Sequence, residues 1–209
     1  IDPPSGIAGT LAFNAQGQII SIRTHKISDT QWGNTLLLID PDTLVVLSSV
    51  ELPPVTVSGG VTFAGGGYFY LDNFGRVVCV TSTQQIRIYN QQNNTFTLSV
   101  AYDLTAALNN PTDVLNSVLP DSAGNLWFIS GQAIVGYVNP QTGTVYHSSV
   151  RNVAGANPNE TNTKSFASDE NGGVYLVTDY ALYRYQVGPD SNPLATWRST
   201  YDRGTRVKP

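Results

Sequence analysis

The sequence of 209 residues predicts an all-β chain of four successive four-stranded units. Three observations predict it. One turn signal, Asn or Asp, two arbitrary residues, Gly and a spacer, heads an apolar run at four places. These are "NAQGQIISI" from Asn14, "DNFGRVVCV" from Asp72, "DSAGNLWFI" from Asp121 and "DENGGVYLV" from Asp169. The turns begin 58, 49 and 48 residues apart, so the signal is close to periodic. Helical signal is confined to "DLTAALNN", enough for a single turn.

The turn residues have a chemical reason to recur. An Asx side chain accepts hydrogen bonds from backbone amides two residues on, and Gly17, Gly75, Gly124 and Gly172 supply the positive φ that closes a tight corner. The Ile, Val, Leu, Trp and Tyr residues that follow have high strand propensity. Each signal therefore reads as the corner of a hairpin. A second, looser turn signal closes each unit: "IDPDTLVVL" at Ile39, "YNQQNNTFTL" at Tyr89, "VNPQTGTVY" at Val138 and the longer "QVGPDSNPLATW" at Gln186. Asn90 and Asn139 both lie 18 residues beyond the first turn of their unit, whereas Asp40 lies 26 beyond. The excess of eight falls in "THKISDTQWG" and accounts for most of the long first interval.

Two turns imply four strands per unit. In the third unit they are expected at 117–119, 126–129, 133–138 and 145–150. Periods of 40 to 50 residues with four strands each are the mark of propeller blades. A lone four-stranded sheet leaves one face uncovered, so such units must pack on neighbours. A twisted β-sandwich is the competing architecture, and for it a period of 48 would be accidental. The expectation is one β-propeller domain over 1–209, with blades at 7–53, 60–103, 115–151 and 163–201 and a tail at 202–209. No disulfide can fasten a four-bladed ring, since Cys79 is the only cysteine. No spare strand is evident to complete the blade at the other end, and "STYDRGTRVKP" stops without turn or strand. The four blades are therefore expected to be part of a larger seven- or eight-bladed ring, completed by a second chain or a second copy.

Composition narrows the function classes. Only 12% of residues are charged, about half the usual share, and the net charge is −4. No basic footprint exists for phosphate backbones, which argues against a nucleic-acid partner. No stretch approaches the roughly 20 apolar residues that cross a bilayer, so no membrane partner is expected. The leading "IDPPSG" does not resemble a signal peptide, and the chain contains no Met, so it reads as a processed or excised piece. Abundant Asn, Ser and Thr, with glycosylation acceptor triplets at Asn93-Asn94-Thr95 and Asn159-Glu160-Thr161, point to an extracellular or periplasmic setting. Cys79, within "RVVCVT", reads as a small buried strand residue, not a reactive thiol.

"DSAGNLWFI" with "VNPQTGTVY" resembles the blade consensus of quinoprotein-like, YVTN and NHL or gluconolactonase-type propellers, over nearly the whole chain. These motifs specify blade geometry, and many functions use them. "NSVLPDSAG" from Asn116 is similar to the gluconolactonase-type pattern Asn-Asp-x-x-x-Asp-x-x-Gly. The resemblance implies that Asn116 helps hold a divalent cation such as calcium. Such an ion takes six or more oxygens, usually including carboxylates, and the nearby Asp113 and Asp179 are the candidates to contribute. This chain departs from the pattern at Ser117, where the family has Asp. No counterpart of the family's metal-binding Glu starts another inner strand.

In a propeller the two repeated turns emerge on one face, and the loops between strands two and three and between blades emerge on the other. The second set varies here: 24–33, 53–60, 105–116 and 152–163. Long irregular loops on a rigid scaffold are where binding and catalysis concentrate. The residue five positions before each Asx looks into the central channel near that face, which selects Gly9, Gly67, Asn116 and Lys164. Two glycines leave room, and Asn116 and Lys164 offer polar groups. Within the first insertion, His25, Asp29 and Trp32 could hold a sugar or a small aromatic ring, whereas His147 falls on an outer strand. No G-x-S-x-G, H-E-x-x-H or Cys-His pairing is present. Trp127 reads as core between blades, not as a cofactor platform. The expected function is extracytoplasmic binding of a small molecule, glycan or protein on the loop-rich face. The alternative is a lactonase-like hydrolase or quinoprotein-like oxidoreductase, its active site completed by blades outside this chain.

Overall fold

The computed structural model describes residues 11–28, 31–56, 68–72, 74–81, 84–108, 110, 113–160, 163–169 and 171–200. It is all-β, with four separate four-stranded antiparallel sheets. The chain divides into two compact units, Ile1–Thr105 and Ala106–Pro209.

In the first unit, β1 (Leu11–Phe13), β2 (Ile19–Ser28), β3 (Gln31–Ile39) and β4 (Val46–Thr56) form sheet one. Sheet two comprises β5 (Tyr68–Leu71), β6 (Val77–Thr81), β7 (Gln85–Gln92) and β8 (Thr95–Asp103). In the second unit, β9 (Leu115–Pro120), β10 (Leu126–Ser130), β11 (Ile134–Val138) and β12 (Val145–Ser149) form sheet three. Sheet four comprises β13 (Thr163–Ser168), β14 (Val174–Thr178), β15 (Ala181–Val187) and β16 (Pro193–Thr200). Every sheet is a meander, each strand pairing with its neighbours in sequence. The one α-helical turn among the described residues is α1 (Thr105–Leu108), within "DLTAALNN". Asp103 opens it by accepting from the Thr105 amide at 2.9 Å.

The four Asx-Gly corners share one geometry. The amide of Gly17, Gly75 or Gly124 donates to the carbonyl of the Asx three residues before it, at 2.9–3.1 Å. Gly17, Gly75, Gly124 and Gly172 have φ between +73° and +86°. In each corner the Asx Oδ1 accepts two amides, two and four residues on: Gln16 and Gln18 on Asn14, Phe74 and Arg76 on Asp72, Ala123 and Asn125 on Asp121, Asn171 and Gly173 on Asp169. This is the hairpin in which a type I turn is closed by a left-handed residue.

Side chains alternate across a strand, and the alternation sets a packing rule obeyed in both units. Within each unit, the second and fourth residues after the corner spacer of the first sheet face the second sheet, whose own first and third residues face back. In unit one, Ile20 and Ile22 with Leu36 and Leu38 pack on Phe69, Val77, Cys79 and Tyr89 of sheet two. In unit two, Trp127 and Ile129 with Val135 and Tyr137 pack on Val174, Leu176, Tyr183 and Tyr185 of sheet four. Within each unit the hairpin corners lie at one end. Asn14 and Gln18 hydrogen-bond Gln91 and Asn94 at the β7–β8 turn, and Gly172 lies beside Ser122. The Tyr137 hydroxyl donates to the Ser191 carbonyl in the β15–β16 turn at 2.5 Å.

Two local expectations are corrected. Residues 24–33 are not a loop over their described part: β2 runs to Ser28, β3 starts at Gln31, and His25 pairs with Gly33 and Lys26 with Trp32. The eight extra residues lengthen a hairpin because both arms are strand-prone and find backbone partners in each other, and β4 follows them through Pro53 and Pro54. Asn90 is not a turn residue but lies in β7, paired with Thr97. The corner sits at Asn93 and Asn94, with φ of 49° and 57°. Consecutive Asn residues tolerate left-handed backbone, so a two-residue turn replaces the longer one.

Candidate functional site

At the end of sheet three opposite the Asx-Gly corners lies an open cleft of about 480 Å³. Its apolar floor is Ala107 and Leu108 of α1 with Ile134 at the start of β11. Three carboxamides, Asn110, Gln132 and Asn152, and two hydroxyls, Ser148 and Ser149, form its walls with His147 and Arg151.

Local folding explains each position. β12 ends at Ser149, whose hydroxyl caps a 3-10 turn (Val150–Asn152) by accepting from the Arg151 amide at 3.3 Å. That cap holds Arg151 and Asn152 at the rim. Arg151 is fixed further by its Nε, which donates to the Glu160 carbonyl at 2.6 Å. Gln132 belongs to the tight β10–β11 link, where Ala133 takes φ 63° and the Ser130 hydroxyl accepts the amides of Gln132 and Ile134.

Asp113, one of the sequence candidates, sits behind this link. It is buried, and its Oδ1 accepts from the Gln132 amide at 3.0 Å. Burial raises its pKa above the ordinary carboxylate value, with bonds from Ser130, Gln132, Val114 and Gly131 acting against the shift. Asp113 thus shapes the cleft wall from inside. Asn116 is exposed in β9 at the register irregularity opposite Ile129 and Ser130. Lys164 holds the equivalent position in β13, at the irregularity between Thr163 and Ser165. Asp179 lies in the short link between β14 and β15.

These oxygen donors do not fit a divalent cation. Asp113 accepts the Gln132 amide and lies buried behind the β10–β11 link, Asn116 is exposed in β9, and Asp179 belongs to a different sheet. Among the described residues no group of three His, Cys, Asp or Glu side chains could hold a metal ion. His25 lies in β2, with Nε2 3.8 Å from Glu51 and Nδ1 3.5 Å from the Thr35 hydroxyl. Trp32 is in β3, paired with Lys26 and Val55, one register position from the His25–Gly33 pair. Gly9, Gly67 and Asp29 fall outside the described residues.

Sequence reasoning missed two features. One is the share of the cleft that lies outside the variable stretches 105–116 and 152–163, namely Gln132, Ile134, His147, Ser148, Ser149 and Arg151. The other is Glu160, a fully buried residue within the 152–163 connection. It accepts from the Thr178 hydroxyl and, at 2.6 Å, from the Tyr183 hydroxyl, to which Arg198 Nε also donates at 3.3 Å. Burial first, and then the bond to Glu160, push the Tyr183 hydroxyl up to about 12. Asp113 with Ser130 and Glu160 with Thr178 are thus the same device in consecutive sheets: an acid ahead of the first strand that ties down the link between the second and third. Cys79 is fully buried in β6, and burial pushes its thiol up to about 12.

Compared with known proteins, the chain matches no family model and no curated sequence.

Proposed function

We propose that the chain is an extracytoplasmic binding module of β-propeller type, completed by a second copy or second chain, whose loop-rich face takes a small polyhydroxylated ligand such as a short glycan. The observation that carries the reading is the chemistry of the cleft at the end of sheet three. Carboxamides and hydroxyls around an apolar floor match a ligand with many hydroxyls and an apolar ring face, and few charges compete for water. Arg151, held by the Glu160 carbonyl, adds one anchored cation that suits an acidic sugar or a ring oxygen. Low charge and an exposed Asn93 in a glycosylation triplet support an extracytoplasmic setting.

A glycan array probed with the purified chain tests this, followed by calorimetric titration of the best hit. Gln132→Ala and Asn152→Ala are each expected to weaken binding about five- to tenfold, the loss of about one hydrogen bond. Arg151→Ala is expected to weaken acidic sugars more than neutral ones. Array binding unaffected by all three substitutions would place the ligand elsewhere.

A further inference from the structure

We propose that the exposed face of sheet four is the seat for sheet one of a second copy of this chain. The inference stands on the propeller reading above and names its missing partner. It is independent of what the cleft binds.

In sheet three a row of side chains, Leu119, Trp127, Tyr137 and Tyr146, crosses all four strands in register. Tyr137 stacks on Tyr146 and meets Trp127 at a tilt, both at centroid distances of 5.0 Å, and Trp127 is fully buried beneath sheet four. The same register positions in sheet four hold Ala167, Tyr175, Arg184 and Trp197. That row is open: Trp197 is 47% exposed and Tyr175 36%, beside a shallow depression of about 420 Å³. The face that is covered in sheet three is thus built again in sheet four, where its described residues Tyr175 and Trp197 are exposed.

The face that covers sheet three also has its counterpart. It is the row Ser168, Val174, Tyr185 and Ala195. Counting from the Asx corner, the equivalent row in sheet one is Phe13, Ile19, Ile39 and Val46. This row is wholly apolar, yet Phe13 is 59% and Val46 51% exposed. Each copy therefore offers one open face of each kind, and two copies satisfy both kinds by a head-to-tail contact.

Charge agrees with the pairing. Tyr137 of sheet three reaches the carbonyl of Ser191 in the last turn of sheet four. Arg184 stands where Tyr137 stands, and the matching turn of sheet one carries Asp40 and Asp42. The guanidinium is already held, by Asp169 at 2.8 Å, and by Gln186 and Thr196, so it would meet the acidic turn without being ordered first.

Sedimentation velocity on the 209-residue chain tests the proposal, with a mass twice 22.5 kDa expected. Trp197→Asp and Val46→Asp change exposed strand residues, so circular dichroism should report intact folds while both variants sediment as monomers. An equimolar mixture of the two should recover dimers, because a mixed pair keeps one undamaged interface. A dimer that tolerates Val46→Asp, or a mixture that stays monomeric, overturns the head-to-tail contact. A monomeric parent chain overturns it as well, and acrylamide quenching, compared with Trp197→Phe, then separates two causes. A shielded Trp197 means that the chain covers its own face, so the propeller reading survives. A quenched Trp197 removes both.

Discussion

At the residue scale, the Asx side chain of each corner carries more than the turn. Asp121 accepts two amides through Oδ1, while its Oδ2 takes Asn125 Nδ2 at 2.9 Å and the buried indole of Trp127 at 2.8 Å. Asp72 and Asp169 use Oδ2 for Arg76 and Arg184 instead. Replacing Asp121 by Ala would leave a buried indole donor without its acceptor, so a loss of about 3 kcal/mol is expected in urea unfolding. The β3–β4 turn holds the opposite case. Leu44 adopts φ 57° at 70% exposure where Gly143 serves the corresponding turn of sheet three. A left-handed residue with a Cβ is strained and this one packs little, so Leu44→Gly should stabilise by roughly 0.5–1 kcal/mol. The same titration reads it, as a higher midpoint at constant slope.

At the element scale, the corners and the strands they launch were legible because both ends of the signal are local. An Asx and a Gly three apart fix the turn, and the β-prone residues beyond it have little choice but to pair. Elements whose form depends on distant partners were not. Nothing within "THKISDTQWG" announces that its arms will zip together, since the pairing of His25 with Gly33 is a property of the completed hairpin. Glu160 looked like the middle of a glycosylation triplet in a loop. Its burial comes from Thr178 and Tyr183, 18 and 23 residues away. Gly136 shows the same dependence. A Cβ there would lie 2.4 Å from the Phe128 ring and 2.5 Å from the Tyr146 carbonyl, so the absent side chain lets β10, β11 and β12 close up. Gly136→Ala is expected to cost about 3 kcal/mol by overpacking, a large fall in the thermal midpoint.

At the scale of the whole molecule, the carboxylates that secure turns and caps make stability depend on pH. Asp40, Asp103, Asp169 and Asp190 are held below the ordinary carboxylate value. The leading causes are the Thr43 amide, the Thr105 hydroxyl, the Gly173 amide and the Asn192 side chain, in that order. Each folded pKa lies below its unfolded one. The stability they contribute is therefore complete above about pH 4 and lost as pH falls through the depressed values. Asp113 runs the other way. Burial raises its folded pKa, so between about pH 4 and that higher value the unfolded chain ionises while the folded one does not, and stability drains away as pH rises. Asp113→Asn removes this one titration while keeping an oxygen to accept the Gln132 amide. Thermal melts from pH 2.5 to 7 should show both parent and variant losing midpoint steeply below about pH 4. The variant should gain on the parent as pH rises above that point. A constant difference between the two curves across the range would mean that Asp113 does not titrate differently in the folded protein.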